Sequence, residues 1–409
     1  MLLLRLMKLH ANVAAFRGRT KDRRREIRTK ILGRYYQGLV QNRGVLDESE
    51  VFELVQDRTF PVDLYDSRKI MVLFVPEHRT MSGGIFSIFS IANQMRKLKA
   101  YHGYDVLVMT RPNPYRLTYF CNLNFRNSEN VYRIEQLLLC KAAEEVYLHI
   151  PEYAAVSFVE NLTREELDYL AGREKLYVNL LNQNIQLMPE KNRFETLRGL
   201  SSKISQSVAH HAYFTQEMAD KYDLPTLLLP AFTDLSAYTP SGFDDKEKLI
   251  IYSLDDAPYK EACLQKIRRE LPDYKLVEIR DITFDKFMEY ATRCLFSITF
   301  GEGFDGYLAQ PIHQGGIGFA VFNEEFFPSP HFKDYYNIFS SGDAMVAGIC
   351  DRIRKLAGDR AAYAELNGQF RKEYEKLYSY DDYVEQLKKL ALREFEIFPS
   401  GTKQEKRLA

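Results

Sequence analysis

The sequence predicts two doubly wound parallel α/β domains in series, on three observations. Predominantly apolar stretches of six to eight residues recur, the first of them, KIMVLFVP, a continuous run as a strand buried on both faces of a parallel sheet requires. Helical periodicity fills the segments between them, which is the rhythm of β-α-β units. A polar, turn-rich stretch at 239–248 (TPSGFDDKEK) interrupts that rhythm, which then restarts.

The elements follow in order. KIMVLFVP (69–76) is the first strand; a loop, EHRTMSGG, leads to an apolar-periodic helix from Ile85 to about Leu98. YDVLVMT (104–110) is the second strand, a helix spans roughly 131–143, and EVYLHIP (145–151) is the third strand. KLYVNLL (175–181), HHAYFT (210–215) and TLLLPAF (226–232) continue as strands. Beyond the break come LIIYSL (249–254), a helix near 259–270, YKLVEI (274–279), a helix at 284–293, CLFSITF (294–300) and IGFAVFN (317–323). Three helices, at roughly 343–357, 359–377 and 380–395, close the chain. This divides the chain into a basic helical segment (1–66), a first Rossmann-like domain (67–240) joined by a crossing helix (380–409), and a second Rossmann-like domain (241–379).

With 409 residues, 45% of them apolar, the chain can bury two ordinary cores, and 27 Tyr and 27 Phe argue against disorder. The five cysteines are odd in number and lack C-x-x-C spacing, which points to a reducing cytosol and away from a disulfide framework. No apolar stretch approaches the roughly 20 residues of a spanning helix. Net charge is zero, with 56 Lys and Arg against 56 Asp and Glu, and this excludes a generally basic nucleic-acid binder. The zero is a sum of opposites: residues 1–35 hold eleven cations and two carboxylates, net +9, leaving −9 for the remainder. The opening MLLLRLMKLHANVAAF is interrupted by Arg5 and Lys8, unlike a secretory signal. A basic amphipathic helix on an anionic membrane suits it, each cation contributing about 1 kcal/mol near such a surface. A solvated basic helix packed on the protein's own acidic surface and, less favoured, contact with nucleic acid are the alternatives.

The sharpest local pattern is Gly301-Glu302-Gly303-Phe304-Asp305-Gly306, directly after a strand. It reads literally as the G-x-G-x-x-G of dinucleotide-binding folds, with Glu324 and Glu325 at about the distance of a ribose contact. Three features oppose a nicotinamide enzyme: Glu302 would sit in the pyrophosphate cradle, Pro311 and Gly315-Gly316 shorten the next helix, and the loop lies far from the first strand of its domain. A sugar-nucleotide site is the better match. A short helix starting near Gly303 would offer unpaired N–H groups to a diphosphate. Glu302 at the strand end would accept hydrogen bonds from sugar hydroxyls or, alternatively, cap the helix.

The stretch Thr299–Gly306, followed by Gln310-Pro-Ile-His-Gln314-Gly315, resembles the E-G-F-G … E-A-x-x-x-G-x-P-V signature of retaining GT-B glycosyltransferases, family-four-like, with Glu302 and Gln310 at the spacing of the family's E-x7-E pair. Leu229-Pro230-Ala231-Phe232-Thr233-Asp234 resembles the turn that ends the family's first domain, Ser82-Gly83-Gly84 its first glycine loop, Glu145-Val-Tyr-Leu-His149 its D-V-V-H strand, and Tyr378-Ser379-Tyr380-Asp381 its late helix start. Lys260 falls where the family places a phosphate-binding lysine. The resemblance spans roughly residues 69–395. It implies two Rossmann-like domains facing a cleft with the last helix crossing back, and transfer of a sugar, with retention and without metal, from a UDP-, GDP- or dTDP-sugar. It gives Glu302 and His149 catalytic positions and Gly83, Gly84, Lys260, Arg280, Gly303, Phe304, Asp305, Gly306 and Gln310 donor-binding ones. No cofactor is implied.

The chain departs from the pattern at Gln310, which replaces a glutamate, at Asp305, which replaces a glycine beside the phosphates, and before Lys260, where no arginine stands. A noncatalytic scaffold of the same fold, a sugar-nucleotide epimerase and a dehydrogenase are the rival readings. His149 contacts a ligand or is an ordinary hydrogen-bonded histidine. His210 and His211 are adjacent, so on a strand they face opposite ways and make no metal pair. D-x-D is absent from the sequence. The resemblance implies a glycan or lipid-linked acceptor, with rhamnosyltransferases of bacterial surface polysaccharides as the nearest type, acting in the cytoplasm at the inner face of the plasma membrane and without nucleic acid.

Overall fold

The computed structural model describes residues 2–18, 23–24, 27–28, 31, 60–76, 83–111, 130–280 and 282–401. Ser82, in the predicted glycine loop, lies outside them. Among the described residues, twelve strands form two sheets. The first contains β1 (Lys69–Phe74), β2 (Asp105–Thr110), β3 (Val131–Arg133), β4 (Glu145–Pro151), β5 (Lys175–Asn182), β6 (Ile204–Val208) and β7 (Thr226–Leu228). Its order is β3-β2-β1-β4-β5-β6-β7, parallel throughout. The second contains β8 (Glu247–Tyr252), β9 (Lys275–Glu278), β10 (Cys294–Ile298), β11 (Ile317–Val321) and β12 (Ile338–Phe339), ordered β12-β11-β10-β8-β9 and also parallel. Strand order reverses between β1 and β4 in one sheet and between β8 and β10 in the other. Open parallel sheets bind ligands at the carboxyl ends of the strands flanking such reversals.

Two expected elements are corrected, and two further strands appear that the sequence reading did not place. Residues 131–143 open with strand β3 and continue as a two-turn 3-10 helix, Ile134–Leu139. HHAYFT is a loop carrying one turn of 3-10 helix, His211–Tyr213. The strand beside β5 is instead β6, ISQSV, which reads as polar yet is buried along its whole length. Its polar groups are satisfied internally: Ser205 Oγ donates to Asn179 Oδ1 (3.1 Å), Asn179 Nδ2 to Ser207 Oγ (3.0 Å), and Gln206 Nε2 to Thr226 Oγ1 (2.9 Å). The short edge strand β12 was also unforeseen.

The last helix, Tyr380–Leu392, crosses back onto the first sheet. Tyr383, Leu387, Leu390 and Ala391 join the core that Ile85, Ile88, Phe89 and Met95 of the Gly83–Lys97 helix form over β1 and β4. It ends three residues earlier than periodicity suggests because Arg393 takes a left-handed conformation (φ 62°). That turn buries the guanidinium: Nη1 donates to Tyr104 Oη (2.6 Å) and Glu145 Oε1 (3.1 Å), and the group lies 4.0 Å from the Tyr177 ring centroid. Beyond it, Thr226 N donates to Ile397 O (2.8 Å), so the tail pairs with the edge strand β7.

The two halves are joined closely. Lys246, within the turn-rich break, donates to the carbonyls of Thr292 (2.8 Å) and Gln314 (2.9 Å), and burial lowers its pKa to about 8. Phe86, three residues into the Gly83–Lys97 helix, stacks on Phe284 of the second half with centroids 5.3 Å apart.

Candidate functional site

At the reversal in the second sheet, the loops leaving β8 and β10 are stitched together. Ser253 N donates to Ile298 O (3.0 Å), and Phe300 N donates to Ser253 Oγ (2.9 Å). The chain then runs so close to Asp255 that a Cβ on Gly301 would lie 2.7 Å from Asp255 Oδ2. Gly303 has φ +90°, and a Cβ there would lie 2.8 Å from both Val321 O and a Phe327 ring atom, so this position accepts only glycine without strain.

The helix after this loop begins at Gly306, not near Gly303, and runs to His313. Asp305, rather than Glu302, is its N-cap. Its Oδ1 accepts from Tyr307 N (2.8 Å) and Leu308 N (3.2 Å), and its Oδ2 accepts from Thr299 Oγ1 (2.5 Å). Two of the N–H groups at the helix start, those of Tyr307 and Leu308, are thus occupied by the protein's own carboxylate. Burial pushes the Asp305 carboxyl up to about 6, its hydrogen bonds opposing the shift.

Glu302 is left to face the first half, where Asn184 Nδ2 donates to its Oε1 (3.3 Å). Burial, then the charges of Asp305 and Asp255, raise its carboxyl to about 7. Gln186 Nε2 makes a second bridge, to Glu325 Oε2 (2.9 Å).

Sequence reasoning missed the residue behind these bridges. Glu152, directly after β4, is buried and accepts from Gln183 N and Asn184 N, each at 3.2 Å. It holds the turn from which Asn184 reaches Glu302, and burial raises its carboxyl to about 7. A carboxylate directly following a mostly apolar strand (EVYLHIPE) was the available signal.

The other predicted residues are dispersed. Lys260 Nζ donates to the carbonyls of Ser253 (3.2 Å), Leu254 (2.9 Å) and Asp255 (2.9 Å), and pairs with Glu278 at 3.4 Å. It caps the end of β8 from the first turn of its helix. Arg280 Nε donates to the other oxygen of Glu278 (2.8 Å), so one carboxylate holds both cations. The Arg280 bond, ahead of Lys260, keeps that carboxyl below the usual range.

Phe304 points into an aromatic core with Phe327, Phe332, Phe370 and Tyr378, not into the cleft. Gln310 is buried one turn along the helix, its Oε1 without a hydrogen-bond partner among the described residues and packed against Gly306. His149 is fully buried in β4, its ring centroid 4.2 Å from that of Tyr147 and its Nδ1 3.4 Å from Asn179 Nδ2. Its Nε2 has no partner among the described residues, and burial lowers its pKa to about 3, so it stays neutral. Gly83 and Gly84 open their helix. A Cβ on Gly83 would touch nothing within 4 Å, so packing does not demand glycine there.

Two facing parallel-sheet domains with a returning C-terminal helix define the GT-B architecture. The chain matches no protein-family model and no curated protein sequence. Among solved structures it is similar to HepE of Anabaena in complex with UDP and glucose, at 10% identity and a TM-score of 0.53, covering 79% of this chain and 99% of that one. A weaker likeness, TM-score 0.48 at 10% identity, is to sucrose-phosphate synthase from Thermosynechococcus elongatus, covering 80% of this chain and 99% of that one.

Proposed function

We propose that this chain is a glycosyltransferase moving a sugar from a nucleoside-diphosphate sugar to a glycan acceptor. One observation carries the reading: Glu302, at the strand-order reversal of the second sheet, meets Asn184 from the first sheet across the junction of the two halves. A donor laid there would present its sugar between the two domains. The GT-B fold and a structural relative whose complex contains UDP and glucose support this choice of substrate class.

In this proposal Glu302 binds hydroxyls of the transferred sugar. With its carboxyl near 7, it both donates and accepts hydrogen bonds around neutrality. Lys260 and Arg280, gathered at Glu278, supply the positive charge for the departing diphosphate. Most of the acceleration then comes from positioning and leaving-group stabilisation. Glu152 is a positioning residue acting through Asn184. The family resemblance extends the proposal to retention at the anomeric carbon, metal independence, a deoxyhexose such as rhamnose, and a bacterial surface polysaccharide or lipid-linked acceptor met at an anionic membrane.

A noncatalytic scaffold of the same fold is the second reading, favoured by Asp305 occupying Tyr307 N and Leu308 N and by Lys260 being spent on three carbonyls. Incubation with UDP-, GDP-, dTDP- and ADP-sugars, with and without glycan acceptors, separates the two. The transferase reading predicts acceptor-dependent release of one nucleoside diphosphate, reduced about a hundredfold or more by Glu302→Ala. No release from any donor favours the scaffold. Isomerisation of a donor without acceptor marks an epimerase.

A further inference from the structure

The helix Leu2–Ala15 has two apolar faces, only one of which is packed. Met7, Ala11 and Ala15, spaced by four, are buried. On the opposite side Leu6, Leu9, Val13 and Phe16 are 53%, 59%, 59% and 74% exposed and recur at intervals of three and four, so they form one stripe. Elsewhere among the described residues, exposed large apolar side chains come singly along the sequence. Basic groups are fastened to this stripe. The Arg24 guanidinium lies 5.7 Å from the Phe16 ring centroid while its Nε donates to Gly18 O (2.8 Å). Arg28 Nε donates to Asn12 Oδ1 (2.8 Å), next in sequence to Val13.

We infer that this face docks on an anionic lipid surface, Leu6, Leu9, Val13 and Phe16 entering the headgroup–acyl boundary and Arg24 and Arg28 engaging lipid phosphates at its rim. An apolar stripe edged by cations is the geometry of a helix lying in a membrane interface. The charge of residues 1–35, net +9, selects anionic over neutral lipid. A second copy of the chain fits poorly, because a symmetric contact would set two such segments side by side. The protein's own acidic body fits no better, since the stripe remains exposed with that body in place. A nucleic acid would use the cations but leave the apolar stripe in water. This names the surface behind the membrane partner proposed above.

The test is co-sedimentation of the full chain with vesicles of phosphatidylcholine alone and of phosphatidylcholine mixed with phosphatidylglycerol. Binding to the mixed vesicles should exceed binding to the neutral ones, and Leu9→Asp with Val13→Asp should lower it about tenfold or more. Both side chains are exposed, so the fold is kept; an unchanged thermal midpoint confirms this, and Val62→Asp, at an exposed site elsewhere, should bind as the parent does. Arg24→Glu with Arg28→Glu, which lower that charge from +9 to +5, should weaken the preference for anionic lipid. Three results overturn the inference: vesicle binding indifferent to the aspartates, an RNA oligonucleotide competing the protein off the vesicles, or light scattering showing a dimer that the aspartates dissolve. The vesicle readout uses no donor, so its failure is distinct from failure of sugar transfer.

Discussion

The two sheets both bring carboxyls to the place where they meet, and differ in how those carboxyls are matched. In the first half, the carboxyl end of β4 carries one buried acid, Glu152, matched by two backbone N–H groups, and the nearby sheet face is closed by the crossing helix that Arg393 pins to Glu145 and Tyr104. In the second half, three carboxylates, Asp255, Glu302 and Asp305, crowd one strand-order reversal, and the nearest cation, Lys260, is bonded to backbone carbonyls and Glu278. The topology creates a crevice in each sheet by the same rule. The bonds the side chains have already made decide what each crevice can hold.

Arg393→Ala should break the first half most severely. Removing Arg393 takes one of two cations from the buried Glu145, leaving Lys69 at 4.0 Å, a loss of about 2–3 kcal/mol. Denaturant unfolding should show it, with amide exchange rising first in β4, β5 and the Tyr380–Leu392 helix. A loss confined to the second half would mean the crossing helix does not brace the first.

Asp305→Gly tests the second half. It forfeits the side-chain cap, a cost of a few tenths of a kcal/mol in stability when glycine takes the position. It should nonetheless tighten UDP binding by about tenfold, because Tyr307 N and Leu308 N are released and a negative charge is removed. Calorimetric titration with UDP checks this; weaker binding would show that Asp305 assists the ligand.

The smallest expected effect is on stability against pH. Glu152 and Glu302 sit near 7 and Asp305 near 6, each raised by burial. These three carboxyls therefore hold more protons in the folded chain than in the unfolded one between about pH 4 and 7. Their contribution to stability falls as pH rises through that window, opposed by the buried His149 and His210, whose lowered pKa values act the other way. Thermal midpoints of the parent and of Glu302→Gln at pH 5.5 and 8 isolate the share of Glu302: the parent should lose stability relative to the variant as pH rises. Equal slopes would place Glu302 in a more solvated setting.

Apolar runs made β1, β4, β5, β8 and β10 legible, because strands buried on both faces admit little else. β6 was not legible, because Ser205, Gln206 and Ser207 are buried through side-chain bonds to neighbouring strands that no local pattern reveals. In the site, Glu302 and the glycines stood out by spacing. The helix start was misplaced by three residues because Gly303 turns left-handed and Phe304 is drawn into the aromatic core, which delays the helix and leaves Asp305 to cap it. The packed and exposed faces of the first helix could not be told apart in sequence, since both are apolar.

The central claim, a nucleotide-sugar crevice at Gly301–Gly306, is tested most directly by the thermal stability of the full chain with UDP-, GDP-, dTDP- and ADP-sugars. One base should raise stability in proportion to the logarithm of its concentration, by about 2.7 kcal/mol at 100 times its Kd, and Glu302→Ala should reduce the gain. An unchanged melt with all four would contradict the claim.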